Sequence, residues 1–309
     1  MPEYDVLVAG ELNPDLILTE PGLEPEFGQV EILVRSADLT IGSSSAIFAC
    51  GAARLGLNVA FIGVLGDDFF GDFMMSAMEA RGVDMSNVIV DPEQKTGLSV
   101  ILNRGSDRAI LTHLGAIGAL KTELISDDLL RKTRHIHVAS YFLQKNLQPG
   151  LLGLFKKASS KQITTSLDVN WDPHGNWSGV ANLLPFTNIF FPNEAEAVAI
   201  TGTGDIDQAI KKLPDYVQIS ALKLGGDGGA GIRADELQRV PAIPVDVADT
   251  VGAGDSFDAG FVFGYLNGWS LERSLKLAVV CGSLSTRAHG GTTSQPTLEE
   301  ALEAVRTYL

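Results

Sequence analysis

The chain contains few cysteines and few basic residues. Only two of its 309 residues are cysteine, Cys50 and Cys281, and both lie in apolar stretches. We expect buried free thiols in a reducing compartment, because two cysteines so far apart do not predict a disulfide or a metal site. Lys and Arg number 23 against 38 Asp and Glu, which gives a formal net charge of −15. This excess disfavours nucleic acid or an anionic membrane as a partner, but it is compatible with a phosphorylated cofactor held by local amide dipoles.

The sequence also lacks a long apolar run and a basic leader. No stretch approaches the ~20 apolar residues needed to cross a bilayer. Residues 1–5 lack the basic start of a secretory signal. We therefore expect a soluble, cytoplasmic protein. The hydrophobic content of 45% and the 33 glycines indicate a globular chain with many turns, and the length fits one large domain with at most a small appendage.

Strand and helix patterns alternate along most of the chain. Strand candidates cover 4–9, 59–64, 136–139, 163–169, 189–191 and 217–224, and helical patterns include 46–55 and 73–80. This order predicts a parallel sheet covered by helices on both faces. Residues 16–39 and 96–111 break the rhythm with strand-like pieces, and the second piece predicts a hairpin that turns at 104–107. From Gly254 onward the pattern is mainly helical and ends with a helix over 298–308.

The most informative segment is 249–257, Asp-Thr-Val-Gly-Ala-Gly-Asp-Ser-Phe. Interpreted as a helix start, it presents the backbone N–H groups of Gly252, Ala253 and Gly254 as a positive concavity for phosphate oxygens. Asp255 would then lie beside bound phosphate, where a carboxylate suits a general base that takes a proton from an attacking hydroxyl. The alternative is an ordinary glycine turn in which Asp255 caps the helix.

Residues 249–255 match Asp-Thr-x-Gly-Ala-Gly-Asp at every specified position. The chain therefore resembles the ribokinase (PfkB) family of carbohydrate kinases, and the resemblance extends over nearly its whole length. It implies an α/β fold: a doubly wound, mostly parallel sheet flanked by helices, with a small β-sheet lid from about 12–39 and 96–113 of a single domain, 1–309. It also implies a kinase that uses ATP and Mg2+ to phosphorylate a small-molecule sugar, with Asp255 as the base.

Polar residues near the first strand and first helix are candidates for binding the sugar. Asn13 and Asp15 follow the first strand, at the carboxyl end where open α/β sheets bind ligands. The resemblance implies a substrate-binding aspartate here, and the alternative is an Asn-Pro-Asp turn. Gly42 and Ser43 fall where the family has Gly-Gly-x-x-x-Asn, but Ser43 replaces the second glycine and Ile47 the asparagine. This departure leaves the identity of the substrate open.

Asn170 follows another strand candidate, in a segment that resembles a substrate-contacting asparagine-arginine pattern. Asp172 stands where arginine is frequent in the family, and its negative charge would repel a phosphorylated substrate. We therefore expect an unphosphorylated sugar such as ribose or fructose. His135 and His137 point to one face of their strand, as in some metal hydrolases, but no acidic partner motif is present and ordinary strand histidines are the better interpretation.

Further segments resemble the family's nucleotide and cation sites. Asn193 and Glu196 match Asn-x-x-Glu, which is implied to organise Mg2+ through water and equally suits a helix start. The expected cofactor-binding residues are Asn193, Lys223, Gly225, Gly226, Gly228 and Thr250. By resemblance only, a monovalent cation, K+, would be held near Asp249, Val251 and Gly290.

Other functions deserve comparison. A nucleoside kinase of the same fold is compatible with the altered segment at Gly42. A non-catalytic sugar-binding regulatory protein would need neither Asp255 nor the glycine turn. A nicotinamide-dependent dehydrogenase is disfavoured because no Gly-x-Gly-x-x-Gly follows the first strand, and a Walker-type kinase is disfavoured because its motif is absent. An exposed lid sheet could pair with a second copy to form a homodimer.

Overall fold

The structure is a computed structural model that describes residues 2–104 and 107–309. The strands are β1 (Tyr4–Ala9), β2 (Pro14–Thr19), β3 (Ser36–Ile41), β4 (Val59–Ile62), β5 (Val64–Gly66), β6 (Ile89–Asp91), β7 (Leu98–Asn103), β8 (Arg108–His113), β9 (Thr133–Val138), β10 (Thr164–Leu167), β11 (Ile189–Phe190), β12 (Ile219–Lys223), β13 (Gly229–Arg233) and β14 (Glu236–Val240). The helices are α1 (Ser44–Arg54), α2 (Phe69–Glu79), α3 (Asp127–Arg131), α4 (Gln148–Ser160), α5 (Val180–Leu183), α6 (Glu194–Thr201), α7 (Ile206–Lys212), α8 (Ala253–Leu266), α9 (Leu271–Ser285) and α10 (Leu298–Tyr308). The helical C-terminal part therefore agrees with the sequence pattern.

The main sheet has eight strands, in the order β14-β13-β12-β11-β10-β9-β1-β4. Neighbouring strands from β12 to β4 are parallel, and β13 and β14 add antiparallel pairs at one edge. The chain order reverses at β1, whose partners β4 and β9 lie on its two sides. Open sheets bind ligands at the carboxyl ends of their strands beside such a reversal. The doubly wound, mostly parallel sheet predicted from the sequence is confirmed.

Helices cover both faces of the main sheet, which explains why β1 is apolar at consecutive positions. Val6 and Val8 belong to a core shared with α1, α8, α9 and α10, whereas Leu7 and Ala9 belong to a core shared with α4, α6 and α7. Successive side chains of a strand point to opposite faces, so a strand between two helical layers buries apolar residues on both. All four side chains are fully buried.

A second, smaller sheet has the order β3-β2-β7-β8. Strand β2 pairs antiparallel with β3 and parallel with β7, and β7 and β8 form a hairpin. The strand-like pieces predicted within 16–39 and 96–111 therefore form one sheet. The predicted turn residues Gly105 and Ser106 lie outside the described residues. Ile17 and Ile101, on one face of this sheet, line a cavity against the loop that precedes α8.

Local bonds explain where elements depart from their predicted boundaries. The helix predicted from residue 73 begins at Phe69, because the Asp68 carboxylate caps α2 by accepting a hydrogen bond from a first-turn N–H at 3.0 Å. The strand predicted over 59–64 breaks at Gly63, where a Cβ would lie 2.6 Å from a backbone oxygen of the loop after β1. Its second part, β5, pairs with β6 outside the main sheet.

Cysteine and histidine side chains behave as ordinary core residues. Cys50 and Cys281 are buried free thiols, as predicted. His135 and His137 both bond to the Ser166 hydroxyl, at 2.7 and 2.8 Å, and burial lowers the pKa of His135 to about 3. Within residues 2–104 and 107–309, no group of three His, Cys, Asp or Glu side chains is arranged to hold a metal ion. No helix in the same ranges is long and apolar enough to span a membrane.

Candidate active site

Polar side chains gather at the carboxyl edge of the main sheet, beside the reversal at β1. Glu11 follows β1, Asp168 follows β10 and Asn193 follows β11, while Lys223 ends β12 and bridges to Asn193. The start of α8 lies against this group, since Lys223 Nζ is 3.7 Å from the position that a Cβ would take at Gly254. These residues therefore lie where an open α/β sheet binds its ligands.

Helix α8 begins in a glycine turn. Gly252 has φ +73°, and a Cβ there would lie 2.7 Å from the backbone of the loop after α9, so conformation and close approach both require glycine. The Ala253 N–H closes the turn by donating to the Thr250 carbonyl at 3.3 Å. In the part of the chain that is described, no protein acceptor is found for the N–H groups of Gly252, Gly254 and Asp255. This end of α8 can therefore bind an anion.

Asp255 is a buried carboxyl group in the first turn of α8. Only 8% of the residue is exposed. Burial and the nearby charge of Asp168 raise its pKa to about 8, and the charge of the Lys223 ammonium opposes this rise. Asp255 therefore exchanges its proton near neutral pH, which suits a general base.

Lys223 lies in a buried ion cluster. Its Nζ is 2.7 Å from Asp168 Oδ2 and 3.6 Å from Asp258 Oδ2. Burial alone would lower the pKa of this ammonium, but the charges of Asp168, Asp258 and Glu196 raise it above its usual range. Burial also raises the pKa of Asp258 well above its usual range. Lys223 thus balances the charge of several carboxyl groups beneath the start of α8.

Two cavities meet at the loop before α8. The first is a cleft of about 530 Å³ between the loop after β12 and helices α8 and α9, with a largely apolar lining. The second, of about 500 Å³, lies between the small sheet and the same loop, and Val247 and Thr250 line both. Five of the residues expected to bind the nucleotide line the first cleft: Lys223, Gly225, Gly226, Gly228 and Thr250. Asn193 does not line it.

Asp15, Asn13 and Gly42 lie together at the start of the small sheet. Asp15 is 7% exposed, and burial raises its pKa to about 7 against the opposing charge of Arg108. A Cβ at Gly42 would lie 2.1 Å from Asp15 Oδ1, so only glycine lets the β3–α1 loop pack against this carboxyl group. Asn13 Nδ2 lies 3.5 Å from Asp15 Oδ1 and 3.4 Å from Ser99 Oγ.

Asn170 and Ser43 are fixed by contacts within the protein. Asn170 has φ +53°, and its Nδ2 donates to Ser44 Oγ at 2.7 Å and to Ser140 Oγ at 2.8 Å. Ser43 has φ +68°, a conformation that favours the glycine of the family motif. Its hydroxyl donates to the Glu11 carbonyl at 2.6 Å and accepts from the first turn of α1. The Ser43 hydroxyl is therefore engaged in capping α1.

Two positions that depart from the family motifs have structural roles. Ile47 packs beneath the glycine turn, since a Cβ at Gly252 would lie 2.9 Å from Ile47 Cγ2. Asp172 accepts hydrogen bonds from three backbone N–H groups in 174–177, at 2.9, 2.8 and 2.7 Å. These donors balance the Asp172 charge, so this residue gives less support to the expected repulsion of a phosphorylated substrate.

Asn193 and Glu196 form a capping box at the start of α6. Glu196 accepts from the Asn193 N–H at 2.9 Å and from its Nδ2 at 2.7 Å, and Asn193 Oδ1 accepts from the Glu196 N–H at 2.9 Å. Burial and the charge of Asp168 raise the pKa of Glu196 to about 7. Each Glu196 oxygen retains a second lone pair, which leaves room for a water-mediated contact with Mg2+.

Asp249 forms hydrogen bonds with Val251 and Gly290, the other two residues expected around a monovalent cation. Its Oδ1 accepts from the Val251 N–H and its Oδ2 from the Gly290 N–H, each at 3.0 Å. The Asp249 N–H in turn donates to the Thr286 carbonyl at 3.1 Å. These bonds tie the loop before α8 to the end of α9 and the loop that follows it, and both carboxylate oxygens bind amides.

Several residues of the site were missed by the sequence analysis: Glu11, Ser44, Ser140, Asp168 and Asp258. Asp168 and Asp258 carried a usable signal, because an acidic residue inside or directly after a buried apolar run needs a partner. Ser44 and Ser140 carried none. Their contacts join segments that are 126 and 30 residues apart from Asn170.

Comparison with known proteins identifies the family. A family model described as pfkB family carbohydrate kinase matches residues 4–298. The chain belongs to the pfkB family of carbohydrate kinases. The resemblance first drawn from residues 249–255 is therefore confirmed, as is the enzyme class, carbohydrate kinase.

Relatives of this pfkB-family chain share its kinase class and differ in their named substrates. An uncharacterized sugar kinase of Archaeoglobus fulgidus is 31% identical over 234 residues, 74% of this chain and 90% of that protein. A ribokinase of Haemophilus influenzae is 28% identical over 309 residues, 96% of each. The solved ribokinase of Arabidopsis thaliana, complexed with ribose and ATP, is 26% identical with a TM-score of 0.85 over 99% of both chains. The adenosine kinase of Sinorhizobium meliloti is 25% identical with a TM-score of 0.85 over 99% of both.

Proposed function

We propose that this protein transfers the γ-phosphate of ATP to a hydroxyl group of an unphosphorylated sugar such as ribose or fructose. The position of Asp255 carries the proposal. It is a buried carboxyl group next to the loop where two cavities meet, beside N–H groups that have no acceptor within the described part of the chain. One cavity would take the nucleotide and the other the sugar, so that the reacting groups meet at the start of α8.

Asp255 would act as the general base. In its ionised form it accepts the proton of the sugar hydroxyl while the hydroxyl oxygen bonds to phosphorus and the bond to the ADP leaving group breaks. The N–H groups of Gly252 and Gly254 would donate to the transferred group, with Ala253 holding the turn, so negative charge that develops there is stabilised. Because the pKa of Asp255 is about 8, we expect activity to rise with pH through this value.

The first cleft suits a nucleotide. Gly228 has φ +90° and lies against backbone, while Ile243 and Val279 offer an apolar surface for a base. The complex of the Arabidopsis thaliana relative with ATP supports this assignment. Glu196 and Asn193 would hold Mg2+ through water, and the ion would supply neutralisation of phosphate charge.

Charges around the second cavity favour a neutral sugar. Asp107, Asp249 and Arg108 line it, and Asp15 is close enough to Asp249 for that charge to raise the Asp15 pKa. A phosphorylated substrate would meet an excess of negative charge here. The residues we propose for sugar binding are Asn13, Asp15, Gly42 and Asn170. None of the four lines the second cavity, so the sugar would have to extend from it towards the start of the small sheet. Ser43 would act by shaping the loop.

We propose that the small sheet over about 12–39 and 96–113 closes on the sugar as a lid within a single domain, 1–309. Leu16, Val100 and Leu111 are neighbours in register on its other face, and Leu111 is 61% exposed. A second copy of the chain would cover this apolar face and form a homodimer. Light scattering tests this: a dimeric wild type and a monomeric Leu111→Asp variant support it, and a monomeric wild type contradicts it.

Two further assignments are proposals of the same kind. K+ would bind near Asp249, mainly through the carbonyl oxygens of Val251 and Gly290, and a turnover rate that is equal in potassium and in tetramethylammonium chloride would contradict this. The free thiols Cys50 and Cys281 support a reducing, cytoplasmic location.

Nucleoside kinase activity is a second candidate. The likeness to an adenosine kinase favours it, and so does Ile47, which leaves no amide where the family motif has asparagine. A sugar pocket altered in this way could accept a substituent at the anomeric carbon. A non-catalytic regulatory protein is disfavoured, since the curated relatives are named as kinases.

The proposal is tested by measuring ADP release with ATP and Mg2+ against ribose, fructose, 2-keto-3-deoxygluconate, other hexoses and nucleosides. We expect release with an unphosphorylated sugar, and no sugar-dependent release from Asp255→Asn. Release only with nucleosides would establish the second candidate. Release that persists in the Asp255→Asn variant at a near-normal rate would refute the assignment of the base.

A further inference from the structure

Gln295 is a buried amide at the place where α1, α8 and the loop between α9 and α10 meet. Its Nε2 donates to the Ile47 carbonyl of α1 at 2.9 Å and to Ser256 Oγ of α8 at 3.0 Å. A Cβ at Gly51 of α1 would lie 2.9 Å from the same nitrogen, so glycine leaves room for the amide. One side chain of the loop therefore bonds to both helices.

The orientation of this amide follows from the groups around it. The Ile47 carbonyl can only accept a hydrogen bond, so the NH2 end of Gln295, and not its oxygen, must face α1. One amide proton then serves Ile47 and the other serves Ser256 Oγ. Gln295 Oε1 is left buried, without a donor among residues 2–104 and 107–309. A buried oxygen without a donor is costly, and a methionine of similar length would avoid the cost. The N–H groups of Gln295 therefore point to a specific role.

Ser256 is bound through its backbone to the glycine turn, residues 252–254. The Ser256 N–H donates to the Gly252 carbonyl at 3.0 Å. Gly252 is the residue before α8, and the carbonyl of such a residue accepts the first hydrogen bond of the helix. Ser256 therefore closes the first turn of α8 around the glycine turn. Because Gln295 holds the side chain of Ser256, it holds the residue that closes this turn.

The loop that carries Gln295 is itself anchored and touches the glycine turn. Arg54, at the end of α1, donates from Nε to the Gln295 carbonyl at 2.6 Å. The same loop approaches the glycine turn closely, since a Cβ at Gly252 would lie 2.7 Å from Gly291 Cα. The glycine turn is thus held by packing against Gly291 and by the bond between Gln295 and Ser256. Both contacts come from one loop that is fixed to α1.

We propose that Gln295 is a positioning residue that fixes the glycine turn of α8 for the transferred phosphoryl group. The inference rests on the proposed kinase function and adds to it a residue that does not itself touch the substrate. The N–H groups of Gly252 and Gly254 stabilise developing charge only when they point at the phosphate oxygens, and a small misplacement costs a large factor in rate. Without the bond between Gln295 and Ser256, the first turn of α8 gains freedom and these donors lose their alignment.

The test compares Gln295→Met, Ser256→Ala and the double variant with the wild type, using the sugar with the highest activity. Methionine keeps the length of the side chain and removes both donors, whereas Ser256→Ala removes only the bond to α8. We expect kcat to fall about tenfold in each single variant, with KM for the sugar unchanged. The double variant should match Gln295→Met, because both substitutions break the same bond, whereas independent effects would multiply to about a hundredfold. Gln218→Met, at an exposed glutamine before β12, is the control and should keep wild-type kinetics.

Hydrogen exchange makes the inference independent of turnover. Backbone amides are followed by mass spectrometry in peptides that cover 250–258, and a peptide from β1 reports on the rest of the fold. We expect exchange about tenfold faster over 250–258 in Gln295→Met and Ser256→Ala than in the wild type and Gln218→Met, with β1 unchanged.

A Gln295→Met variant that is less stable but keeps the wild-type kcat and exchange over 250–258 would overturn the inference, because its role would be structural only. If Gln295→Met does not fold, Ser256→Ala decides alone, and normal kcat and exchange in Ser256→Ala would overturn the link to α8. Lack of sugar-dependent activity in the wild type would refute the proposed function instead, and hydrogen exchange would still decide the role of Gln295.

Discussion

Replacing the base should make the protein inactive and more stable at once. Folding removes Asp255 from water and raises its pKa from 3.8 to about 8. Between these values the folded state holds a proton that the unfolded state has lost, so the wild type loses stability as pH rises from about 4 to about 8. At pH 7 this difference in proton binding lowers the free energy of unfolding by about 4 kcal/mol, because pH 7 lies about three units above the unfolded pKa and each unit corresponds to about 1.4 kcal/mol.

Asp255→Asn removes this cost because the amide does not ionise. We expect a gain of about 2 to 4 kcal/mol in the free energy of unfolding at pH 7, where the lower figure allows for the cost of burying the amide. The gain should shrink to about 1 to 2 kcal/mol at pH 5, because this pH is only about one unit above the pKa of the carboxyl group in the unfolded chain. Turnover should fall by about 10² to 10⁴, the usual contribution of a general base.

Urea unfolding followed by circular dichroism at pH 5, 7 and 9 measures the stability difference, and ADP release measures turnover. Asp235→Asn, an exposed carboxyl between β13 and β14, is the matched control and should change neither quantity. A variant that is less stable than the wild type, or a difference that does not grow with pH, would refute the account of a buried, proton-holding base.

Three further substitutions test neighbouring parts of the site. Gly42→Ala places a Cβ 2.1 Å from Asp15 Oδ1 and should raise KM for the sugar at least about tenfold, with KM for ATP unchanged in steady-state kinetics. Lys223→Met leaves Asp168 without its 2.7 Å partner and should lower the free energy of unfolding by about 3 to 5 kcal/mol in urea; a loss below about 1 kcal/mol would contradict a buried ion cluster. Glu196→Gln removes the charge and keeps only one of the two hydrogen bonds that the carboxylate accepts from Asn193, so the Mg2+ concentration at half-maximal rate should rise about tenfold, as measured by titration.

The sequence predicted most of the fold because the strongest signals are local or periodic. Apolar runs such as 4–9 mark buried strands, and residues 249–255 carry the start of α8 in one contiguous motif. Strand β13 escaped prediction because its first three residues are glycine and alanine, which weaken its apolar pattern. Gly231 of β13 packs against Leu271 of α9, where a Cβ would lie 3.1 Å from the leucine side chain. That packing depends on a helix 40 residues away and leaves no local mark.

The site was predictable only where a motif was contiguous. Asp255 and Gly252 could be assigned from their own segment. The engaged hydroxyl of Ser43 and the ion pairs of Lys223 depend on tertiary contacts, so their residue types alone suggested substrate and nucleotide contacts. Asp172 shows the same limit, because its charge is balanced by backbone N–H groups that only the folded loop provides.

Transfer of labelled phosphate from [γ-³²P]ATP tests the central claim most directly. Wild type and Asp255→Asn are mixed with Mg2+ and each unphosphorylated sugar of the panel, and labelled sugar phosphate is separated from ATP and counted. The account predicts one labelled sugar phosphate per ADP with at least one sugar, and a loss of about 10² or more in Asp255→Asn. Phosphate released to water alone, or equal transfer by the two proteins, would contradict it.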